Sequence, residues 1–99
     1  MTLKRMDNVL IVVEDLEAAK AFFVELGMEL EGEMPVEGRW VDRVVGLEDV
    51  RCEIAMMRTP DGHSRLELMR FDRPKTVSAE PKNAPADAPG IRRIMFAIR

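Results

Sequence analysis

The chain has 99 residues, enough for one small domain with a modest core. Hydrophobic residues make up 46% and charged residues 33%, which is a globular balance and not a disordered one. The net charge of −3 comes from intermixed acids and bases with no basic stripe, and no apolar run nears the roughly 20 residues of a membrane span, so neither nucleic acid nor membrane is expected as a partner.

Lys4 and Arg5 are followed at once by Asp7 and Asn8, so the N-terminus does not read as a signal peptide. The run Asn8-Val-Leu-Ile-Val-Val13 is β-branched and unbroken, as in a strand covered on both faces. Asp15 then suits a helix N-cap, and Leu16, Ala19, Phe22, Phe23 and Leu26 recur on one helical face. Gly27 fits the left-handed position that closes the helix, which is placed at about 15–26.

Met28, Leu30, Gly32 and Met34 alternate with glutamates, the pattern of a strand with one wet face, and Pro35 is expected to end it. Gly38-Arg39-Trp40-Val41 reads as a short strand, and Gly46 to Asp49 as a turn. Residues 51–58 and 64–71 form a hairpin around Thr59-Pro60-Asp61-Gly62, where Pro fixes φ at the second turn position and Gly follows. Residues 72–89 hold four prolines and no apolar period, as a linker would. Ile91 to Ile98 reads as a final strand. Residues 93–98 align without a gap on residues 8–13, which suggests a second copy of the same unit just starting.

Taken together, these features resemble the vicinal-oxygen-chelate superfamily, the group of glyoxalases, bleomycin resistance proteins and extradiol dioxygenases. The stretch from Asn8 through Glu14-Asp15 to Phe22-Phe23 and Leu26-Gly27 follows that family's first strand and helix. Pro60-Asp61-Gly62 leading to Leu66-Glu67-Leu68 is similar to its fourth strand, and Gly90 to Ile98 to the first strand of its second module. The resemblance implies an α+β fold in which a βαβββ module at 1–71 forms a curved, mixed sheet. A Pro-rich linker at 72–89 and the opening strand of an incomplete second module at 90–99 would follow.

In the family's metal enzymes, ligands come from the first and fourth strands of each module. The matching positions here hold Asn8, Glu67 and Arg93. Asn is a poor ligand for zinc, nickel or iron, and Arg stays protonated and cannot ligate. The resemblance thus supports the fold more than metal chemistry. No cofactor is expected; the alternative is a divalent metal on Glu67 and Asn8.

Each candidate residue carries a functional and a structural reading. Glu67 is a ligand or general base, or a strand carboxylate paired with Arg65 or Arg93. Arg93 is an anion-binding fork or a salt-bridge partner. Asn8 is a cavity hydrogen-bonder or a strand-entry residue. Met57 and Met69, with Met56, Met28 and Met34, line an adaptable apolar pocket or fill ordinary core. Trp40 stacks on a ligand or packs half-buried. His63, the one histidine, sits about 13 Å along a strand from Glu67 and cannot share a metal with it. Cys52, the one cysteine, reads as a small buried hydrophobe and excludes an internal disulfide, in keeping with the cytoplasm.

Two functional classes follow. The first is a metal-independent small-molecule-binding protein acting on a partly apolar, anionic ligand. The second is a metal-dependent lyase, isomerase or dioxygenase using Glu67. A remnant without activity of its own is a third. Because the family's cavity needs two modules, a homodimer is expected, with the 91–98 strand exchanged between protomers.

Overall fold

In the computed structural model, which describes residues 1–74, 85–91 and 93–98, the chain runs β1 (Val9–Val12), α1 (Leu16–Leu26), β2 (Glu29–Glu37), α2 (Arg39–Val45), β3 (Arg51–Arg58) and β4 (Arg65–Arg73). The Asp15 side chain accepts from the Ala18 N–H at 3.0 Å and so caps α1. Gly27, at φ 113°, ends it; its N–H donates to the carbonyls of Phe23 and Val24. That φ is one that residues with a Cβ rarely adopt.

The four strands form one open, mixed sheet in the order β1-β4-β3-β2. β2, β3 and β4 are antiparallel neighbours, and β1 lies parallel to β4. The β3–β4 turn closes where the Thr59 N–H donates to the Ser64 carbonyl and the Gly62 N–H to the Thr59 carbonyl.

Alternation along the strands sorts their side chains onto two faces. One face packs beneath α1. There Leu16 and Met28 meet Ala55, Met57, Leu66 and Leu68, with Val9, Ile11, Ala19 and Phe23 around them. Lys20 ties α1 to β2 across this face: its Nζ lies 2.6 Å from a Glu33 carboxylate oxygen and 2.7 Å from one of Glu17. Both carboxylates raise the pKa of Lys20, the hydrogen bond it donates to Glu17 most.

The opposite face carries a second, smaller cluster at one end. Val41 of α2 packs there on Val50, Cys52 and Met69, flanked by Val36, Val45, Ile54 and Phe71. The Asp42 carboxylate holds the loop after α2. It accepts from the Val50 N–H at 2.8 Å and from the Asp49 N–H at 3.2 Å.

Three expectations from the sequence need correction. Residues 39–45 are a helix and not a short strand, because Val41 and Val45, one turn apart, both reach the second cluster. Pro35 does not end β2, which runs to Glu37. β2 is an edge strand, and a proline there need not cost a ladder bond. Residues 91 and 93–98 form no strand. The module's last strand runs to Arg73, two residues past the expected boundary, and residues 75–84 of the expected linker lie outside the described residues. Among the described residues no helix is long and apolar enough to cross a membrane.

Candidate functional site

The sheet face away from α1 is where side chains from several strands converge, without a covering layer among the described residues. Register places Leu10 beside Glu67, Glu67 beside Met56, and Met56 beside Gly32. One step along, Val12, Met69, Ile54 and Met34 form the next row. Leu66 and Leu68 point into the core beneath α1, so Glu67 between them points to this open face. α2 covers only the far end. Leu10, Val12 and Met34 stay 43%, 47% and 55% exposed.

Glu67 is half-buried and makes no hydrogen bond or ion pair with any described residue. The arginines that might have neutralised it are engaged elsewhere. Arg65 lies 3.1 Å from both carboxylate oxygens of Glu31. Arg58 reaches Glu29 at 3.0 Å and Glu31 at 3.8 Å. At the α2 end, Arg73 is held by Glu37 and Asp49. Among the described residues Glu67 is thus a carboxylate without a partner, on a largely apolar surface.

The other candidates are scattered. Asn8 directly precedes β1 and is half-buried. Met57 is fully buried beneath α1 and so lines no open surface; Met56, its neighbour in sequence, takes the place beside Glu67. Met69 is on the Glu67 face but sealed among Val41, Val50 and Cys52. Trp40 lies in the first turn of α2 and is 63% exposed. His63 is exposed in the hairpin turn. Cys52 is fully buried. Burial pushes its thiol pKa up, and Asp72 and Glu67 add to that, which keeps the thiol protonated.

Arg93 is not paired with Glu67. It lines an open cleft of about 670 Å³ at the outer edge of β1, which shares Leu10 and Val12 with the Glu67 face. Phe22, Phe23 and Leu26 of α1 form one wall and Ile94 and Phe96 another. Phe96 meets Phe23 edge to face, with ring centroids 6.5 Å apart.

Among the described residues no three His, Cys, Asp or Glu side chains are grouped so as to hold a metal ion. Of the three positions that match the family's ligands, one is a carboxylate, one an amide and one a permanent cation. That donor set does not fit a transition-metal centre.

Sequence reasoning did not single out Leu10 or Ile54 for this surface. The signal was present in the parity of Glu67, since every residue in register with it shares its face.

Comparison with known proteins bears on the whole arrangement. The family model described as the Glyoxalase/Bleomycin resistance protein/Dioxygenase superfamily matches residues 7–91. A crystal structure of a glyoxalase family protein from Bacillus cereus superposes with a TM-score of 0.89 at 55% sequence identity. The match covers 97% of this chain and 64% of that one, so this chain spans less than two thirds of its relative's length. Comparison with curated protein sequences gave no match. With most of its length matched by the family model and its fold shared with a close relative, the chain belongs to the glyoxalase/bleomycin resistance protein/dioxygenase superfamily.

Proposed function

We propose that this chain is a metal-independent small-molecule-binding protein whose ligand lies on the Glu67 face. The observation that carries this reading is a half-buried carboxylate that, among the described residues, has neither a partner nor a covering layer and stands among exposed apolar side chains. Apolar surface with a few placed polar groups is the usual composition of a ligand site. The same free carboxylate favours the second reading, in which Glu67 serves as a metal ligand or general base. A thermal-shift panel separates the two, since a ligand that binds the native state raises its stability by mass action. Stabilisation by small molecules should persist after treatment with a chelator. Near-stoichiometric zinc, nickel, iron or manganese that disappears in Glu67→Ala would overturn the metal-independent reading. Action in the cytoplasm is part of this proposal and suits the buried, protonated thiol of Cys52.

A second βαβββ unit is needed to turn the open face into a cavity, and we infer that a second copy of this chain supplies it. Among the described residues β1 is bonded on one side only, and Phe22, Val24 and Leu26 of the adjoining helix are each more than half exposed. Apolar surface of this kind is seldom left wet in a monomer. Light scattering coupled to size exclusion should give about twice the 11.3 kDa chain mass. A folded species at the single-chain mass at micromolar concentration would show that the face stays open.

A further inference from the structure

The charges around Glu67 point to the class of molecule that the face receives. At the hairpin end of the face, Glu29, Glu31, Arg58 and Arg65 satisfy one another. At the α2 end, Arg73 is taken by Glu37 and Asp49. Between these two ends the rows hold Leu10, Val12, Ile54, Met34 and Met56, all apolar, and one charge, Glu67. An ionised carboxylate only accepts hydrogen bonds. Covering this face takes water from it, and a carboxylate without a partner is costly in such a setting. A ligand that brings a positively charged donor removes that cost through a charge-assisted hydrogen bond. An anionic ligand would meet like charge, and neither Arg58 nor Arg65 can answer it without abandoning a glutamate. Met34 and Met56 are unbranched and adaptable, which suits an irregular apolar body.

We propose that the Glu67 face takes an organic cation: an ammonium or amidinium group held by the Glu67 carboxylate, joined to an apolar body resting on Leu10, Ile54, Met34 and Met56. The proposal rests on the reading that this face binds a small molecule. It differs from the anionic ligand that Arg93 suggested in the sequence: Arg93 lines the β1-edge cleft, which shares Leu10 with this set but not Ile54, Met34 or Met56.

Three probes of matched shape test it by calorimetry on the full chain: 4-phenylbutylamine, 4-phenylbutanol and 4-phenylbutyrate. The amine is expected to bind about tenfold tighter than the alcohol, a difference of about 1.4 kcal/mol, with the acid weakest. In Glu67→Gln, which keeps the side-chain shape, the amine should fall to the level of the alcohol while the alcohol is unchanged. Equal binding of all three, or an amine preference that survives Glu67→Gln, overturns the charge assignment and leaves the small-molecule reading standing. No binding of any probe to the native chain counts against that reading and against this inference with it.

Discussion

Met57→Ala should lower the unfolding free energy by about 3 kcal/mol, while Met34→Ala, on the same sheet, should change it by less than about 0.5 kcal/mol. The contrast comes from the two faces. Met57 is fully buried against Leu16, Leu66 and Leu68, so truncation removes dispersion contacts and leaves a cavity that rigid neighbours only partly fill. Met34 is 55% exposed on the Glu67 face and leaves no cavity behind. Urea unfolding followed by circular dichroism measures both. A shift in midpoint with an unchanged denaturant slope identifies a true stability change. Equal losses for the two variants would mean that the Glu67 face is covered as thoroughly as the core.

Asp42→Ala should cost about 2 kcal/mol, and Asp42→Asn clearly less. The Asp42 carboxylate accepts the N–H groups of Asp49 and Val50, and Val50 is 1% exposed. Removing the acceptor leaves the Val50 N–H without a partner in a place that water cannot easily reach, and hydrogen bonds to charged groups contribute about 1.5–3 kcal/mol each. The bond to Asp49 is exposed and adds little. Asn keeps one acceptor oxygen and so can keep the Val50 bond. Amide exchange gives the local reading. The Val50 amide should lose protection in Asp42→Ala while the amides of β4 beneath α1 keep theirs. Unchanged protection at Val50 would remove Asp42 from this role.

How far the sequence could be read depended on whether an element's partner lies close by in the chain. β1, α1 and the β3–β4 hairpin were legible because their signals are local: a β-branched run, a capped amphipathic stretch and a Pro-Asp-Gly turn. α2 was not. Seven residues after a glycine carry too few helical turns to show a period, and its stability comes from contacts of Val41 and Val45 with strands elsewhere in the chain. The segment 91–98 has the composition of a strand, but a strand also needs a neighbour to bond, and composition cannot supply one. The candidate site shows the same division. Parity showed that Glu67 points away from Leu66 and Leu68. It could not show which arginines would already be engaged by Glu29 and Glu31, because those pairs join residues far apart in the chain. Met56 and Met57 were both read as pocket candidates for want of a register; the two are consecutive, and only Met56 stands beside Glu67.

The two edges of the sheet are unlike in a way that bears on aggregation. β2 presents Glu29, Glu31 and Glu33 along its outer side, has an irregular register between Leu30 and Gly32, and carries Pro35. Charge, bulge and proline are each a recognised guard against strand addition. β1 presents Val-Leu-Ile-Val and has none of these. A sheet with two open edges can polymerise end on end, since every added copy offers a fresh edge to the next. A sheet with one guarded edge cannot. Growth through β1 alone would stop once two such edges had met, which would favour closed pairs over fibres.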